Sequence, residues 1–131
     1  MHKSLPIKLL ADLIVFLAGV QGAATYWDLY FFVWWLDIPM HLLGGFWISA
    51  ATISYCLSRN PQGTRGTTLA LFAYALTATL VIGLGWEIFE WSVDRINGLI
   101  HFDLMDTLGD LGNDVIGALV AAGILLRKNN V

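Results

Sequence analysis

The chain is short of charge, of cysteine and of basic surface, and each shortage removes a class of protein. Only 13% of its 131 residues are charged, against roughly 25% in a soluble domain. Hydrophobic residues make up 57%, and the mean hydropathy is +0.68. Together with six tryptophans, that balance suits lipid rather than water. The single cysteine, Cys56, excludes an internal disulfide and a cysteine-based zinc site, and reads as a small apolar packing residue. No basic patch with reachable aromatics exists, so nucleic-acid binding is excluded. Period-2 alternation, the signature of a membrane barrel, is absent, and the chain has no internal repeat or low-complexity tract.

What is present is a set of long apolar runs. A hydrocarbon core of about 30 Å needs about 20 apolar residues in a helix. Four segments qualify, at about 7–26, 38–57, 68–91 and 107–126. Helix is the state expected for each, because a lone segment in lipid must satisfy its own backbone hydrogen bonds. The first run holds Asp12, outlasts a secretory apolar core and lacks a clean small-x-small cleavage site, so it reads as an uncleaved span. Asp12 lies one turn from Lys8 and reads as its ion-pair partner. The stretch Trp27 to Trp35 is too short to cross, and its aromatic density predicts an interfacial segment. The expected fold is therefore an all-α polytopic membrane bundle of four transmembrane helices plus that segment, forming a single domain over 1–131.

Basic residues predict the orientation. Lys3 and Lys8 precede the first span, Arg59 and Arg65 lie between the second and third, and Arg127 and Lys128 follow the fourth. These segments share one side, which puts both termini in the cytoplasm of an inner (plasma) membrane protein. Arg95 alone falls on the other side. Among the acids only Asp12 lies toward the cytoplasm.

That outer end collects three short motifs. Asp37 and His41 are four apart at the start of the second span, and Glu87 and Glu90 are three apart at the end of the third. Asp106, Asp110 and Asp114 recur every fourth residue into the fourth span, with Asn113 and Gly117 beside them. Such spacings set each group on one helix face. An ionised Asp at mid-membrane costs about 2.5–3.5 kcal/mol on the insertion scale. Asp114 would sit about 12 Å deeper than Asp106. Acids at such depth must be protonated, or must share a cation.

A divalent ion (magnesium, manganese, calcium, zinc or iron) suits carboxylates plus one histidine. The candidate ligands are Asp37, His41, Glu87, Glu90, Asp110 and Asp114, with Asp106 as an outer ligand; His41 and Glu87 are the candidates for catalysis. Glycines 44, 45, 83, 85, 109, 112 and 117 mark the faces expected to meet. Trp34, Trp35, Trp47, Trp86 and Trp91 read as interface anchors.

At these motifs the chain resembles the YjdF-type inner-membrane proteins and, more loosely, the VanZ-like membrane proteins. The likeness rests on Asp37 and His41 followed by Gly44 and Gly45, on Glu87 with Glu90, and on Asp106, Asp110, Asn113, Asp114 and Gly117. It covers roughly 37–122. VanZ-like proteins tend to carry Lys after the first Asp and Gln at the last Glu, where this chain has Ile38 and Glu90. The YjdF-type resemblance implies a membrane protein without an assigned activity; the VanZ-like one implies a link to the cell envelope or glycopeptide resistance.

Three readings stay open on the residues. One is a metal-dependent membrane enzyme, a hydrolase or a phosphoryl or lipid-group transferase, acting on an amphipathic or lipid-linked envelope substrate. The second is a proton- or cation-coupled transporter or flippase subunit, for which four spans would require a homo-oligomer. The third is a structural subunit whose protonated acids bond the helices together.

Overall fold

A computed structural model describes residues 5–59, 67–98 and 103–129. Every regular element in them is helical. Lys3, the connection at 60–66 with Arg65, and the side chain of Lys128 lie outside the described residues. The elements are α1 (Ile7–Tyr26), a one-turn α2 (Leu29–Phe32), a 3-10 turn (Trp34–Leu36), α3 (Asp37–Arg59), α4 (Thr67–Ile96) and α5 (Leu104–Asn129). Four of the helical stretches are long and apolar enough to cross a membrane. The protein is an all-α polytopic bundle.

The ends follow local chemistry. Pro6, extended at φ −58° and ψ 134°, precedes α1, and Pro39 sits within the first turn of α3, where its missing N–H costs nothing. Asp28 takes the left-handed conformation at φ 51° and turns the chain from α1 into α2, a state a short polar side chain tolerates. Gly98, at φ 79°, closes α4. Asp103 caps α5 by accepting from the Met105 N–H at 2.9 Å. The 30 residues of α4 would span about 45 Å, well beyond the hydrocarbon core, so one end of it projects to interface depth.

α3 and α5 form the most extensive contact and run parallel. Asp37 groups with Asp110, and the Ser49 hydroxyl donates to the Ala118 carbonyl at 3.0 Å, so both numbers rise together. α4 is antiparallel to them: Gly83 approaches Asp114, while Ala75 lies beside Ala118. Ala50, Ile53, Leu57, Leu71, Ala75, Ala121, Ala122 and Leu125 fill the core. Alanines let the backbones come close where lipid supplies no hydrophobic drive.

α1 packs on α3 alone among the long helices that contact it substantially. The Trp47 indole N–H donates to the Leu10 carbonyl at 2.7 Å, and the Leu5 N–H donates to Ser54 Oγ at 3.1 Å. Trp47 is thus a tie between helices rather than the interface anchor its ring suggested, because its N–H meets a carbonyl inside the bundle. Asp12 is exposed, and no Lys8–Asp12 ion pair forms among the described residues. Cys56 is half-buried against the core.

Candidate functional site

The start of α3, the start of α5 and the end of α4 share one end of the bundle, and the polar side chains gather there. His41 is the centre. It is 6% exposed, with Asp114 Oδ1 3.3 Å from its Nδ1 and Asp37 Oδ1 3.6 Å from its Nε2. Side chains on a helix lean toward its N-terminus, so the His41 ring reaches back over Asp37 and toward the end of the bundle. Ligand atoms of Asp37, His41 and Asp110 lie within 4.8 Å of one another, and so do those of His41, Glu87 and Glu90. One imidazole therefore joins carboxylates from three helices.

The remaining candidates divide. Asp114 is 4% exposed and belongs to neither group. Asp106 is exposed in the first turn of α5 and also stands outside both. Beside the cluster opens a cavity of about 260 Å³, lined by the polar Asp37, Asp106, Asp110 and Asn113 together with Trp34 and Met105. Trp86 stands in the same turn of α4 as Glu87 and Glu90, its ring 5.4 Å from that of Phe89. The Oε1 of Glu87 is buried with no hydrogen-bond partner among the described residues.

Arg95, the one cation expected on this side, stacks over the Trp91 ring with its guanidinium 5.2 Å from the centroid. It makes no ion pair with the cluster among the described residues. Exposed Trp91, Trp34 and Trp35 keep their place on the bundle surface. Of the glycines, Gly45, Gly83 and Gly117 stand at close helix contacts, Gly44 touches Asp114 loosely, and Gly85, Gly109 and Gly112 have open space beside them.

Tyr30 escaped the sequence reading, which saw the segment before α3 only as an aromatic belt. Its hydroxyl donates to Gln21 Oε1 and so ties α2 to α1. The phenol is pushed up to about 12, first by burial and then by the nearby carboxylates of Asp37 and Glu90. Nothing in its spacing marks it; only the turn at Asp28, which brings α2 back against α1, does.

A family model described as predicted membrane protein (DUF2238) matches residues 2–130. The chain belongs to that family. The match agrees with the YjdF-type resemblance and carries no VanZ link. Membership makes the protein a multi-pass membrane protein lying in a lipid bilayer. Comparison with curated proteins and with solved structures finds no match.

Proposed function

We propose that this DUF2238 protein is a membrane enzyme that holds a divalent cation between His41 and the carboxylates of Asp37, Glu87, Glu90 and Asp110. The observation that carries the reading is the approach of ligand atoms from three helices to within 4.8 Å, in two groups sharing one imidazole. Since that imidazole has Asp114 against its other nitrogen, the groups read best as halves of one coordination shell. One nitrogen and several carboxylates suit zinc, manganese, iron or magnesium.

A cation held there would lower the pKa of a bound water and polarise a substrate oxygen. Glu87, with Oε1 buried and unpartnered, is the carboxylate best prepared to take the proton of that water. The adjoining cavity has both acidic and apolar lining residues, which favours an amphipathic, lipid-linked envelope substrate undergoing hydrolysis or group transfer. With Arg95 over Trp91, the cation itself would be the positive charge that meets a phosphate. Transport is the weaker reading. Beneath the cluster lie Ala50, Ile53, Leu71, Ala75 and Leu125, and the Thr79 hydroxyl is spent on the Ala75 carbonyl at 2.9 Å, so among the described residues no titratable path continues inward.

The test is elemental analysis of protein purified in lipid nanodiscs. Stoichiometric divalent metal in the wild type, lost in an Asp110→Asn/Glu87→Gln double variant that still folds, is the expected outcome. Metal-free wild type after incubation with zinc, manganese and iron would falsify the reading.

The positive-inside pattern supports a site facing away from the cytoplasm, with both termini inside. In a Cys56→Ser background, Asn97→Cys should react with an impermeant thiol reagent in intact cells, and a cysteine after residue 131 should not. The reverse pattern overturns the orientation.

A further inference from the structure

The two carboxylates on His41 are not equivalent. Asp37 lies on α3 itself, four residues before the ring, and its ligand atom groups with Asp110. Asp114 comes from α5, is 4% exposed and takes part in neither ligand group. Its carboxylate lies in a socket of helix backbone. A Cβ built on Gly83 would stand 2.5 Å from Asp114 Oδ2, one on Gly44 would stand 3.9 Å from Oδ1, and one on Gly45 would collide with the Asp114 carbonyl. Glycines on α3 and α4 thus make the room this side chain occupies. Among the described residues its hydrogen-bond partner is Nδ1 of His41, at 3.3 Å.

A buried carboxylate on one ring nitrogen fixes an imidazole's tautomer and rotation, and leaves the other nitrogen's lone pair for a ligand. The geometry points to Asp114 as a positioning residue: it accepts the Nδ1–H of His41 and so turns Nε2 toward Asp37, whose Oδ1 lies 3.6 Å from it. This differs from the ligand role suggested by its place in the aspartate stripe. The role rests on the metal reading only in what Nε2 then holds; the hold on Nδ1 stands by itself. The glycine socket also explains why an aspartate is present at 114. A longer acid would drive its carboxylate past the ring nitrogen or into the α4 backbone at Gly83.

The test is ¹⁵N NMR of histidine-labelled full-length protein in nanodiscs, with and without zinc. The His41 signals are assigned by their loss in His41→Gln, since the chain has three histidines. In the wild type Nδ1 should carry a proton in both states, and zinc should move Nε2. Asp114→Asn has the same shape, but its amide can donate to Nδ1 and pin the wrong tautomer. It should lose the Nδ1–H signal and weaken zinc binding by about 10–100-fold, with its melting temperature checked alongside. A wild-type Nδ1 without its proton, zinc acting at Nδ1, or an Asp114→Asn protein with unchanged tautomer and zinc affinity overturns the inference. Ring nitrogens indifferent to zinc, with Nδ1–H present in the wild type and lost in Asp114→Asn, sink the metal reading and uphold the positioning one.

Discussion

Alanine at position 117 should destabilise the bundle by about 3 kcal/mol, the upper end of the usual cost of overpacking a core. A Cβ there would run into the Leu42 carbonyl oxygen and stand 2.8 Å from the Phe46 nitrogen. Both obstacles are main-chain atoms of α3, so no side chain can swing aside, and α3 and α5 must part along their whole contact. Gly45→Ala should behave alike, because its Cβ meets the Asp114 carbonyl. The control is built into the same helix. Gly112 has nothing within 4 Å of its Cβ position, so Gly112→Ala should be neutral or stabilising by up to about 1 kcal/mol, the helix-propensity gain. Unfolding in mixed micelles measures all three. Equal stability of the 117 and 112 variants would contradict the close parallel packing of α3 on α5, and with it the placement of Asp114 beside His41.

The same glycines mark where sequence reasoning reaches its end. Hydropathy finds the four spans because the bilayer imposes a length, and alternating connections then bring Asp37, Glu87 and Asp110 to one end of the bundle. Rotation of each helix about its axis is another matter. α4 exposes Leu80, Val81, Ile82, Leu84, Ile88 and Phe89, apolar nearly all round, so no stripe in its sequence says that Gly83 faces Asp114 while Gly85 faces open space. In lipid the exposed face is as apolar as the buried one, and the periodicity that reveals a core in water is lost. For this reason the aspartate stripe reads as two ligands, Asp110 and Asp114, with Asp106 as an outer one. The structure separates them into exposed Asp106, Asp110 in a ligand group, and Asp114 behind the imidazole. Tyr30 and Gln21 were illegible for a related reason: their bond joins α2 to α1 across the left-handed turn at Asp28, a conformation that the aromatic run around it does not announce.

Removing His41 and Asp114 one at a time, and then together, separates a stabilising network from a functional one. His41→Leu leaves Asp114 buried without its hydrogen-bond partner, and Asp114→Leu leaves Nδ1 without an acceptor. Leaving a buried polar group without its hydrogen-bond partner typically costs about 1–3 kcal/mol, more where the group is charged. Leucine has the branched outline of aspartate, so it fits the glycine socket at 114, and the double variant replaces both polar groups by apolar ones. Such replacements are often neutral or stabilising. The double variant should therefore regain most of the stability lost by either single change, giving a coupling that neither helix explains alone. If the cluster serves only to hold helices together, regained stability should leave nothing else missing. If the cluster holds a cation, the double variant folds and yet binds no zinc, because His41 is the one nitrogen ligand in both groups. Folded double variant that still takes up stoichiometric zinc would remove His41 from the site. Failure of the second substitution to rescue the first would mean that Asp114 and His41 do not act on each other.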